Sequence, residues 1–85
     1  MGNEYMQYPA TVKALAEEIK IVCDDYNMRK INNDRINEII SWYANTQADK
    51  LFCNQQINPT ISKIIGKKRV RLLNVLLNER NGGHK

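Results

Sequence analysis

A catalytic thiol needs a histidine within hydrogen-bond reach and an acid to orient that histidine. This chain carries thiols at Cys23 and Cys53, but its single histidine, His84, stands in the terminal run Asn81-Gly82-Gly83-His84-Lys85. A structural zinc takes three or four ligands in close array, usually with C-x-x-C spacing, and the sequence has no such motif. Carboxylates suited to general acid–base work occur as the neighbours Glu17-Glu18 and Asp24-Asp25. Adjacent residues on a helix point about 100° apart, so each pair reads as a solvated face rather than a dyad. Neither a G-x-G-x-x-G fingerprint nor a P-loop is written in the chain. On these grounds the sequence reads as a non-enzyme that uses no metal, cofactor or small-molecule substrate.

The remaining chemistry is electrostatic. Residues 1–49 carry five Lys and Arg against eight Asp and Glu, a balance of −3. Residues 50–85 carry eight against the single Glu79, a balance of +7. The formal charge of +4 conceals this asymmetry, which points to a nucleic acid or another polyanion as partner. The cations concentrate in "ISKIIGKKRVRLLNVLLNER", residues 61–80, at Lys63, Lys67, Lys68, Arg69 and Arg71. Basic side chains beside the free N–H groups of a helix N-terminus favour an anion there, and Asn74 extends that polar set by about one turn. The competing reading makes the basic run a solvated turn and assigns the excess leucines, Leu73 and Leu77, together with Trp42, to a homodimer or partner surface.

The elements that must position these residues read as helices. Residues 1–8 form a polar leader, 9–80 a single helical domain and 81–85 a disordered tail. The first helix is expected to open near Pro9, since proline suits a first helical turn. Val12, Leu15, Ala16, Ile19, Val22, Cys23 and Tyr26 give it one apolar face, and Asn27 supplies a stop. Asn32-Asn33-Asp34 is a capping signal for a second helix over 34–46, with Ile36, Ile39, Ile40, Tyr43 and Ala44 inward and Ile31 placed to staple its start. Trp42 falls off that stripe, at about 240° from Ile36, where it meets another element of the domain or the leader. Asp49–Cys53 reads as a last helical turn or a brief strand, and Leu51–Cys53 can pair with an extended Arg29–Ile31. Asn58-Pro59 opens the third segment.

On a continuous wheel from Ile61, the residues Ile64, Ile65, Leu72, Val75 and Leu76 share one face. Lys68 falls in the middle of it, and an interior Gly66 costs about 1 kcal/mol against alanine. A chain that turns at Gly66–Lys68 removes both defects, giving helices over about 60–65 and 69–79. Helix, glycine-containing turn and helix is the outline of a helix-turn-helix. Ser62 stands four before Gly66, Ile61 and Ile65 take the core positions before the turn, and Leu72 with Val75 or Leu76 those after it. Lys67 departs from the pattern, where an apolar residue is usual. The second helix looks too apolar to read base edges and better suited to phosphate contact.

The run NPTISKIIGKKRVRLLNVLL, with the upstream YPATVKALAEEI and DKLF, resembles a family of short uncharacterised proteins from Gram-positive, clostridial-type bacteria. The resemblance spans about Tyr8 to Leu77 and implies no assigned activity. The fold expected is all-α, a bundle of three to four helices with a helix-turn-helix-like C-terminal half. A minimal two-stranded element would make it winged-helix-like. The function expected is DNA or RNA binding through phosphates, the alternative being a protein-interaction or homodimerisation module. No apolar run approaches the roughly 18 residues of a membrane span, and MGNEYMQYPA lacks the basic and apolar regions of a signal peptide. A cytoplasmic setting is therefore expected, in which the thiols stay reduced.

Overall fold

The computed structural model describes residues 8–54 and 56–82, with side chains through residue 78. Within them the chain forms five helices and a two-stranded antiparallel sheet. These are α1 (Val12–Asn27), α2 (Asn33–Thr46), α3 (Ala48–Leu51), β1 (Phe52–Cys53), β2 (Gln56–Ile57), α4 (Pro59–Ile65) and α5 (Lys67–Gly82). The architecture is the expected all-helical bundle with a scrap of sheet. The helix count exceeds expectation by the one-turn α3 before the strands.

Caps set the helix starts. Thr11 accepts a hydrogen bond from the Ala14 N–H at 3.0 Å, so α1 opens at Val12 and not at Pro9, whose ring is buried. A threonine side chain satisfies an orphan N–H that proline cannot. Asn32 accepts from Arg35 N–H at 2.8 Å to start α2, and Asn58 accepts from Thr60 N–H at 2.9 Å ahead of Pro59 to start α4.

Asn27 is the last residue of α1, but the left-handed residue that ends the helix is Arg29, at φ 62°. The Arg29 N–H donates to Tyr26 O and the Lys30 N–H to Asp25 O, the paired bonds of a Schellman motif. Arg29–Ile31 is therefore a helix stop and not a strand. The partner of β1 is β2, in the register Phe52↔Ile57 and Cys53↔Gln56. Residues 49–53 realise both readings offered for them, the end of α3 and then β1. Asn58 braces this corner, its N–H donating to Leu51 O at 2.8 Å and its Nδ2 to Lys50 O at 3.2 Å. The hairpin precedes the α4–α5 pair, so it does not stand as a wing after the second helix.

The core forms where α1 lies along α4 and α5 closes over α2 and α4. Leu15, Ala16, Ile19, Val22 and Cys23 of α1 are fully buried, as are Ile36 of α2, Leu51 of α3 and Ile61 and Ile65 of α4. The inward residues of α5 are Leu73, Leu76 and Leu77, while Val75 is 48% exposed. The continuous wheel puts Leu72 and Val75 inside instead. The difference arises at Gly66, where φ 88° and ψ 164° break the helix and reset the phase of the residues beyond it. The expected break is thus present, but α5 opens at Lys67, leaving one connecting residue.

Gly66 itself yields a prediction. Nothing lies within 4 Å of a Cβ built there, so a side chain meets no clash and only backbone strain remains. That region is essentially glycine-only and costs of order 1–3 kcal/mol for other residues. Gly66→Ala is therefore expected to lower unfolding free energy by about 1–2 kcal/mol, after part of the strain is offset by the lower entropy of the unfolded chain. Urea denaturation reads this as a shifted midpoint with an unchanged slope.

Candidate nucleic-acid interface

The break at Gly66 decides which face of α5 meets solvent. Lys67, Arg71, Asn74 and Asn78 are spaced four, three and four residues apart, which places them on one stripe. All four are exposed, with the buried Leu76 opposite them and the buried Leu73 about 130° around the helix. From Lys67 to Asn78 the stripe runs for about 16 Å at 1.5 Å per residue. It borders a shallow groove of about 340 Å³ between α4 and α5, lined by Ser62, Lys67, Val70, Arg71 and Asn74. Helix phase thus resolves the objection that α5 is too apolar to face a partner, because its leucines turn inward.

The remaining basic residues divide. Lys63, in the last turn of α4, and Lys68, in the first turn of α5, are exposed outside the groove lining. Among the described residues, Lys63, Lys67, Lys68 and Arg71 make no ion pair. Arg69 differs, because its guanidinium points inward. Nη2 and Nε donate to one oxygen of Asp24 at 2.7 and 2.8 Å, and Nη1 donates to the Ile65 carbonyl at 2.8 Å. One side chain therefore ties α1, the end of α4 and the start of α5 together. It satisfies a helix-end carbonyl that would otherwise lack a partner. Arg69, expected as a phosphate contact, is committed to Asp24 and the Ile65 carbonyl. A guanidinium already matched to a carboxylate has its charge neutralised and its donors committed.

Leu73 and Leu77, expected at a dimer or partner surface, are core residues at 0% and 7% exposure. A leucine this deep reaches a second molecule only if the domain opens. Trp42 is 37% exposed, and its ring meets Tyr8 edge-on, with centroids 5.6 Å apart and planes at 68°. That ring contact is with the leader's one described residue.

Two buried groups, the Cys23 thiol and the Tyr43 phenol, are held neutral. Burial pushes the Cys23 thiol up to about 11, Arg69 opposing and Asp24 reinforcing the shift. Burial, with Glu18 beside it, pushes the Tyr43 phenol up to about 12. Both stay protonated at neutral pH. The other thiol, Cys53, is exposed. Among the described residues no cluster of three or more His, Cys, Asp or Glu is placed to hold a metal, and no helix is long and apolar enough to cross a membrane.

No curated protein and no solved structure matches the chain. Residues 6–78 match CLB_0814_fam, a family described as "conserved hypothetical protein", and the match covers most of the chain. The chain belongs to that family.

Proposed function

We propose that this protein is a nucleic-acid-binding module, with double-stranded DNA as its ligand, and that α5 is the element that meets it. The observation that carries the reading is the outward stripe Lys67, Arg71, Asn74 and Asn78, flanked by the unpaired Lys63 and Lys68. Lysine and arginine neutralise phosphates, while Arg and Asn are the side chains that pair bidentately with guanine and adenine edges. An α-helix fits the roughly 12 Å width of the major groove. In this reading α4 and α5 act as a compact helix-turn-helix-like pair. Its single-residue turn, against the three to four residues usual in that motif, sets α5 out of the motif's usual phase.

Four free cations predict a logarithmic salt slope of about −3.6 from this corner, at about −0.9 for each phosphate neutralised. Between about 50 and 200 mM salt, affinity for a labelled mixed-sequence duplex should then fall on the order of 100-fold by fluorescence anisotropy. Lys67→Glu with Lys68→Glu should abolish most of that binding. Unchanged affinity in this variant would remove the assignment. The alternative, a homodimerisation module, is less well supported once Leu73 and Leu77 are core residues. It predicts self-association by sedimentation with no dependence on these lysines.

A further inference from the structure

Two further cations stand together at the α1–α2 turn. Arg29 and Lys30 are both exposed, and they line a wide concavity of about 700 Å³ at the α1–α2 turn with Tyr26, Asn27, Ile31 and Asn32. The backbone beneath them is fixed. Met28 N–H donates to Asp24 O at 2.9 Å, Arg29 N–H to Tyr26 O at 3.0 Å and Lys30 N–H to Asp25 O at 2.8 Å. Arg29 occupies a left-handed conformation that arginine disfavours. The Tyr26 hydroxyl donates to Asn33 Oδ1 at 2.9 Å, pinning the turn to the first residue of α2.

The Asp24–Arg69 ion pair says where this turn lies. Lys67 and Lys68 directly precede Arg69, which grips Asp24 at 2.7 Å. Asn27, the last residue of α1, lies three residues or about 4.5 Å along the axis beyond Asp24, and Arg29 and Lys30 follow in the turn. The end of α1 and the start of α5 therefore form one end of the molecule, with cations on both sides of the clamp. The carboxylates around the turn are largely engaged. Asp24 is held by Arg69, Glu38 by Arg35 at 2.8 Å, and Asp25 also has a partner. Asp34 is exposed in the first turn of α2, where it complements the helix dipole.

We propose that Arg29 and Lys30 form a second phosphate-contacting cluster, so that one duplex is held at two points, along α5 and at the α1–α2 turn. The inference rests on the reading of α5 as a nucleic-acid-binding helix and extends it to a surface of defined extent. The largest dimension of the fold is 33 Å, and duplex DNA carries a charge about every 1.7 Å, so one duplex is long enough to offer phosphates to both clusters.

The test is the salt slope of the full chain on a mixed-sequence duplex of about 20 base pairs. Six cations predict a slope of about −5.4. Arg29→Asn with Lys30→Gln, chosen because asparagine tolerates the left-handed backbone, should bring it back to about −3.6. Circular dichroism and the unfolding midpoint should stay at wild-type values. A wild-type slope in a folded variant, with Lys67→Glu/Lys68→Glu still abolishing binding, overturns the second cluster and leaves α5 standing. No binding by the wild-type chain at about 50 mM salt overturns both.

Discussion

Leu73→Ala is expected to lower the free energy of unfolding by about 3 kcal/mol, within the 2–5 kcal/mol usual for a leucine removed from a packed core. Val75→Ala, two residues along the same helix, is expected to cost less than about 0.5 kcal/mol, since its side chain is half in water. An 85-residue domain has of order 5–10 kcal/mol in total, so the first substitution removes a large share of its stability. The pair reports on the break at Gly66. Had α5 simply continued α4, Leu72 would sit about 20° from Ile65 and Leu73 about 80° away, and Leu72→Ala would be the costly change. Urea denaturation of the three alanine variants distinguishes the cases. A larger loss for Leu72→Ala than for Leu73→Ala would restore a single helix. The same series tests the dimer seam. If Leu73 belonged to one, its loss would change sedimentation while sparing the midpoint of dilute protein.

Most of the fold is legible in the sequence because its signals are local. Apolar periodicity marks α1 and α2, and Asn32, Asn58 and Pro59 mark helix starts through caps that act within three residues. Sequence and structure part where one local signal competes with another. Pro9 and Thr11 both permit a helix start, and the threonine cap prevails. Asn27 and Arg29 both stand near the end of α1, and the Schellman bonds put the positive φ on the arginine. The strand pairing is not legible, because two short extended runs with nothing but sequence to join them carry no register.

The candidate site is legible as a run of charge but not as a face. A wheel phased on Ile61 makes Lys68 the inward cation. The reset at Gly66 turns Lys68 out and brings Arg69 in. No local pattern can pair Arg69 with Asp24, since the two are 45 positions apart. Asn78, four residues past Asn74, shares its stripe in any helix, and only the direction that stripe faces depends on the phase set at Gly66. Arg29 and Lys30 read as strand residues in the sequence, and their place at the basic end comes from the Asp24–Arg69 contact alone.

That contact is the second place where a large effect is expected. Arg69→Met keeps the aliphatic stem but removes three charge-assisted hydrogen bonds, leaving Asp24 without its partner and the Ile65 carbonyl without this donor. Truncating one member of a fully buried pair costs about 3–5 kcal/mol. Here the side chains are 30% and 41% exposed, and water recovers part of the loss, so about 1–2 kcal/mol is expected. Asp24→Asn should cost less, because the amide oxygen can still accept from the guanidinium. The double variant should fall short of the sum of the two by about 0.5–1 kcal/mol, the coupling of groups in contact. Salt dependence then separates position from contact. A phosphate-bound Arg69 would take about 0.9 from the slope when replaced. An Arg69 already neutralised by Asp24 leaves the slope of the folded variant unchanged while weakening binding through misplaced Lys67 and Lys68. Asp24→Asn shifts the slope the opposite way, because it releases a positive charge beside the proposed path of the duplex. If Arg69→Met instead flattens the slope by about one phosphate and leaves the unfolding midpoint in place, Arg69 belongs to the binding surface and the clamp does not hold α5 in position.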